Sequence, residues 1–170
     1  MTDNLPKSKE LDVAIKAALE ALKILEKYFE TEILKDLKED KSIVTKADME
    51  AEEVIKKIIF EAFPLHSIIG EETGHTKNGS KYTWHVDPLD GTRNFSNGFP
   101  MFAVSIALEL DNELIVGVIN NPATNSLFYA EKGKGAYLND KRIFVSKDDV
   151  SRAIVSGGKS RKKEDVQLCR

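Results

Sequence analysis

Asp87-Pro88-Leu89-Asp90-Gly91-Thr92 sets two carboxylates three residues apart around a proline, then adds a glycine and a hydroxyl. Pro88 biases Asp87 toward extended backbone angles and removes one backbone donor from the segment. An extended stretch of this kind can aim the Asp87 carboxylate, the Leu89 carbonyl and the Asp90 carboxylate at one point. Three such oxygens suit a hard cation such as Mg²⁺, which takes about six oxygen ligands at about 2.0–2.1 Å and keeps several waters. Gly91 permits close backbone approach, and a helix beginning there would offer free N–H groups to an anion. A carboxylate cluster beside an anion-binding helix start points to phosphate chemistry. The alternative for this hexapeptide alone is an Asp-Pro turn with Asp90 as a helix N-cap.

Two further acidic groups belong to the same question. Glu71-Glu72 follows the short apolar run 66–70. Adjacent strand residues point to opposite faces, so one glutamate of the pair faces a site and the other does not. Glu71 and Asp87 become neighbours if their strands pair; otherwise the glutamates are a solvated acidic loop. Thr45-Lys46-Ala47-Asp48 precedes an apolar run and reads as a variant of the helix capping box, a structural role sufficient for Asp48. Other motifs carry less. Gly157-Gly158-Lys159-Ser160 resembles the end of a P-loop, but that motif needs glycine at 153, where Ala153 stands. Gly133-Lys134-Gly135 is hairpin-turn chemistry. His66, His75 and His85 lack metal-ligand spacing and fit surface or packing roles.

These residues must be positioned by two helices and a run of strands. Apolar residues at Leu11, Ile15, Ala18, Leu22, Leu25 and Phe29 alternate steps of four and three, predicting a helix over 7–37. The charged stretch 35–41 lacks periodicity and reads as a mobile surface loop. A second helix starts near Thr45, with Ala51, Val54, Ile55, Ile58, Ile59 and Ala62 on one face and Pro64 beyond its end. Strands are expected at 66–70, 82–86, 103–110, 113–119 and 126–130. Asp111-Asn112, Asn121-Pro122 and Asn139-Asp140 mark the turns between and beyond them. Two helices followed by an antiparallel meander make an α+β layer architecture. A strand at 153–156 and an incipient helix from Ser160 follow.

The chain has 170 residues, 31% of them charged, and a net charge of −3 with both signs dispersed. That balance gives no support to nucleic-acid or polybasic membrane binding. Cys169 is the single cysteine, so no disulfide can form within the chain. The polar start and the lack of a long apolar run make the cytoplasm the default location.

Together the pieces resemble the inositol monophosphatase family of Mg²⁺-dependent, Li⁺-sensitive phosphatases. The carrying residues are Gly70-Glu71-Glu72 and Trp84-x-Val86-Asp87-Pro88-Leu89-Asp90-Gly91-Thr92-x-Asn94-Phe95. Val44-Thr45-x-x-Asp48, Gly98-Phe99-Pro100 and Ala103-Val104-Ser105 also match. The resemblance implies the first lobe of a layered αβαβα sugar-phosphatase fold over 1–152, with 153–170 beginning a second lobe that is truncated. It implies two or three Mg²⁺ ions in the complete site, held by Glu71, Asp87, the Leu89 carbonyl and Asp90. Substrate phosphate would meet Glu71, Asp90, Gly91 and Thr92. Asp48, Glu71 and Thr92 would orient or deprotonate the attacking water. Clustered carboxylates without metal should be partly protonated.

Hydrolysis of a small phosphate monoester of the inositol-1-phosphate type is implied, with a homodimer as the full-length assembly. Bisphosphate nucleotide, histidinol phosphate and fructose 1,6-bisphosphate are alternative substrates, although Asn94-Phe95 favours the inositol type. The family's Trp-Asp-x-Ala-Ala-type motif, which completes the second metal site, is absent after Trp84. Weak or no turnover by this chain alone is therefore expected. The alternative is a non-catalytic, partner-binding or regulatory relative.

Overall fold

The computed structural model describes residues 6–29, 35–37, 43–147 and 149–152. The cysteine, the P-loop-like stretch and the expected second lobe lie outside them. Helix α1 spans Lys9–Tyr28; Ser8 caps it, its hydroxyl oxygen accepting the Leu11 N–H at 3.1 Å. Leu11, Ala14, Ala17, Ala18, Ala21 and Leu25 are buried along one face, where the alanines permit close packing. The helix ends well before the expected Leu37. Phe29 turns extended (φ −64°, ψ 134°), and its ring packs 5.5 Å from Phe95 and 5.0 Å from Phe102. Tertiary packing thus overrides helical propensity there.

Part of the expected loop is also ordered pairing. Strand β1 (Lys35–Leu37) runs antiparallel to β2 (Ile43–Thr45), and residues 38–42 lie outside the described set. Thr45 immediately precedes α2 (Lys46–Ala62), the place a capping box requires. Val54 and Ile58 are half-buried, and the fully buried stripe of α2 is Ala47, Asp48, Ala51, Glu52, Ile55 and Ile59.

The remaining strands are β3 (Ser67–Gly70), β4 (Gly74–Thr76), β5 (Tyr82–Asp90), β6 (Ala103–Leu110), β7 (Glu113–Asn121), β8 (Ser126–Glu131), β9 (Gly135–Leu138) and β10 (Lys141–Ile143). They form an eight-stranded sheet in the order β10-β9-β8-β7-β6-β5-β3-β4. The expected meander is present from β5 onward. The sheet is mixed rather than wholly antiparallel, because β3 pairs parallel with β5. Strand β4 doubles back on the outer edge of β3, so the chain re-enters beside β3 in the same direction.

Both central residues of the Asp111-Asn112 turn (φ 50° and 67°) and of the Asn139-Asp140 turn (φ 48° and 64°) are left-handed. That geometry matches the twist of a hairpin, and Asn and Asp tolerate it best among non-glycine residues.

Alternation along the strands builds the core. Trp84 and Val86, then Val104, Ile106 and Leu108, then Val116 and Val118 are buried on the face covered by α1, against β6 and β7, and by α2, against β5. Trp84 donates its indole N–H to His66 Nδ1 at 3.1 Å. His66 stacks between Phe63 and Tyr82 with ring centroids 4.6 Å from each, and burial holds its pKa below the usual range. His66 is thus a packing residue. No helix among the described residues is long and apolar enough to cross a membrane.

Candidate metal and phosphate site

The parallel pair decides where the acids meet. Gly70 lies opposite Val86, so Glu71 and Asp87 are the next residues on adjacent strands. The Glu71 N–H donates to the Val86 carbonyl at 3.1 Å, continuing the ladder one residue past β3. Glu71 is exposed and Asp87 half-buried. The Asp87 carboxyl is pushed up to about 7, first by burial, then by the Glu71 charge and a hydrogen bond with Glu71, then by the Asp90 charge. The Leu89 N–H donates to Asp87 Oδ1 at 3.1 Å and partly opposes this. Burial, reinforced by the crowding of like charges, thus leaves the Asp87 carboxyl about half protonated at neutral pH.

The regular ladder between β5 and β6 ends at Asp87 and resumes at Asp90. The irregular step holds Pro88 and Leu89, both buried. The Leu89 carbonyl accepts the Thr92 hydroxyl at 3.0 Å, and its second lone pair keeps further acceptor capacity. Asp90 is exposed at the strand end. Gly91, not Asp90, is the N-cap of α3 (Thr92–Ser96), at φ 88°. A Cβ there would meet the Met101 carbonyl oxygen at 2.8 Å, so only glycine fits the step from strand to helix. Asn94 donates to the same Met101 carbonyl at 2.7 Å and braces that loop.

Asp48 lies in the first turn of α2 and is only 1% exposed. Strand β2 packs against α3 and leads directly into α2. That connection brings the element carrying Asp48 toward the segment carrying Thr92.

The structure therefore gathers Glu71 and Asp87 in contact, with Asp90 in electrostatic reach. Among the described residues, no three acidic or imidazole side chains converge closely enough to hold a metal ion as they stand. Asp87 turns partly toward its own backbone at Leu89. The donor set itself, carboxylates and a carbonyl without nitrogen or sulfur, has the chemistry of a hard-cation site.

A groove of about 240 Å³ beside Glu71 and Asp87 is also lined by His85, Ser105 and Ala107. In it His85 Nε2 lies 3.0 Å from Glu109 Oε2. Glu52 was not singled out from sequence, although its place inside the buried stripe of α2, between Ala51 and Ile55, is a readable sign that it serves something internal.

A helix pair on a mixed sheet, with acids at Glu71, Asp87 and Asp90 and a glycine step into a short helix, has the α+β architecture of the sugar-phosphatase fold. The family model for the inositol monophosphatase family matches residues 7–168, and the chain belongs to that family. It is 40% identical to the fructose-1,6-bisphosphatase/inositol-1-monophosphatase of Aquifex aeolicus, covering 94% of this chain and 62% of that protein. It is 40% identical to a histidinol-phosphatase of Chlorobaculum parvum, covering 81% of this chain and 53% of that one. The crystal structure of the extragenic suppressor protein suhB from Bartonella henselae superposes with a TM-score of 0.78 at 40% identity, covering 83% of this chain and 56% of that one. The chain thus spans between half and two thirds of the length of these relatives.

Proposed function

We propose that this chain is the acid-bearing lobe of a Mg²⁺-dependent phosphomonoesterase of the inositol-1-monophosphatase type. The observation that carries the proposal is the register of the parallel pair. It sets Glu71, just past the end of β3, against Asp87 in β5, where burial and then the Glu71 charge push the Asp87 carboxyl up to about 7. Carboxylates crowded this way gain most from a shared cation.

Glu71, Asp87, the Leu89 carbonyl and Asp90 would hold the metal. A Mg²⁺ ion bound there screens phosphate charge and lowers the pKa of a water. The chain's own groups do the positioning. The backbone N–H groups at Gly91 and Thr92 would approach the phosphate. The Thr92 hydroxyl, held by the Leu89 carbonyl, sits at the edge of the metal set. There it can orient the attacking water together with Glu71, and Asp48 supports it from α2.

The relatives' names leave the alcohol open among inositol, fructose-phosphate and histidinol esters. Titration calorimetry with Mg²⁺ should show binding that Asp87→Asn abolishes; no Asp87-dependent binding would sink the reading. Phosphate release from the three esters, with the gene's full coding sequence expressed, then ranks the substrates.

One observation favours a second reading, a non-catalytic relative that binds a partner. The sheet face away from the helices carries Ile119 and Phe128 around a shallow apolar cavity of about 290 Å³, and both are more than a third exposed. Ester hydrolysis abolished by Asp90→Asn would eliminate this reading.

A further inference from the structure

Glu52 lies inside the helix–sheet core, is fully buried, and has no place in the site described above. Its carboxylate is nevertheless aimed at that site's backbone. Oε2 accepts the Glu72 N–H at 2.8 Å, and Oε1 accepts the Thr73 N–H at 3.1 Å and also the Thr73 hydroxyl. Lys56, one turn further along α2, donates to the same Thr73 oxygen at 2.7 Å. Gly70 leaves the room: a Cβ there would lie 2.2 Å from Glu52 Oε1.

A buried carboxylate is costly unless its oxygens are satisfied. An apolar residue at 52 would fill the helix face without supplying acceptors to the turn after β3. We infer that Glu52 is a positioning residue for the metal site, fixing the 71–73 backbone so that Glu71 leaves β3 beside Asp87. Glu71 is then held from both sides. Its own N–H is tied to β5 through Val86, and the next two amides are tied to α2 through Glu52. Only its side-chain torsions remain to be set by a ligand. This inference rests on the metal-binding reading above and extends it to a residue that touches neither metal nor substrate. Outer groups that orient metal ligands in this way are worth about 10–100-fold in metal affinity.

The test uses the 170-residue chain and Mn²⁺ as the probe, with affinity read by calorimetry and the Glu72 and Thr73 amides followed by hydrogen exchange. Glu52→Gln, which keeps the shape but loses one acceptor oxygen, should weaken Mn²⁺ binding about 10-fold or more and strip protection from both amides. Thr73→Val, at an exposed position, removes one of the three donors to the Glu52 carboxylate, should weaken Mn²⁺ binding by less than Glu52→Gln does, and serves as the deciding variant should Glu52→Gln fail to fold. Ile55→Val thins the core on the same helix without touching the turn, and should leave Mn²⁺ affinity at the wild-type value.

Wild-type binding with unchanged affinity in a folded Glu52→Gln overturns the positioning role alone. So does an equal loss in Ile55→Val, or an unchanged affinity in Thr73→Val where that variant decides. A wild-type chain that binds no Mn²⁺ removes the metal reading and this inference with it.

Discussion

Glu52 and Asp87 are acids at the same end of the molecule in opposite circumstances. Glu52 is fully buried, and its oxygens receive two amides and a hydroxyl. Asp87 is half-exposed and faces two other acids, with one amide to offset them. Burial alone would rank Glu52 as the more strained of the two, and the hydrogen-bond partners reverse that order. Satisfied acceptors build the scaffold, whereas crowded carboxylates are where the proposed cation would act.

Breaking either side separates the two roles. The largest expected effect is on binding: Asp87→Asn should lower Mg²⁺ affinity by more than about 100-fold, since a direct ligand outweighs an outer one. The same substitution should leave thermal stability in chelator unchanged or raised, because it relieves repulsion. Gly70→Ala attacks the satisfied side. It drives a methyl group into the Glu52 carboxylate and should cost about 2–4 kcal/mol in chemical denaturation.

The pH dependence is smaller. Unfolded, Asp87 releases its proton near the usual carboxylate value of about 4; folded, it does so at about 7. The folded chain therefore binds more protons across that window, so this group's contribution to stability falls as pH rises from about 4 to 7 and levels off above. After allowance for solvent screening at a half-exposed carboxyl, the loss should be about 1–2 kcal/mol. Melts in chelator should show the slope in the wild type and a flatter one in Asp87→Asn. Least of all, Lys56→Ala, on the solvent side of Thr73, should change stability by less than about 0.5 kcal/mol.

Local patterns were legible where local physics decided the structure. The strand at 103–110 and the Asp111-Asn112 and Asn139-Asp140 turns follow from alternation and from left-handed tolerance. The end of α1 does not, because Phe29 leaves the helix to reach Phe95 and Phe102, residues far along the chain. Strands β1 and β2, at three residues each, are too short to show a period. The parallel direction of β3 against β5 was hidden for a related reason: a strand's pattern shows its faces but not its neighbour's direction. At the site, the residue types announced an oxygen-ligand cluster. The contact between Glu71 and Asp87 needed the pairing to be known. Glu52 was readable in principle as an acid inside an apolar stripe, but what it holds could be found only in three dimensions.

The lone parallel pairing among the described strands has a kinetic consequence. From β5 to β10 each strand pairs with its neighbour in sequence, an arrangement that closes short loops and forms readily. Strand β3 instead joins from outside that run, carrying Glu71 up to Asp87 against their mutual repulsion. Its docking closes the connection from Glu71 to Lys81 and brings two acids together, a repulsion that a bound cation would relieve. Amides of Ile69 and Gly70 should exchange through a smaller opening than those of β6 and β7, and divalent cation should slow the former selectively. A site assembled where a strand joins from outside the meander is one in which ion binding would be coupled to the local order of that strand end.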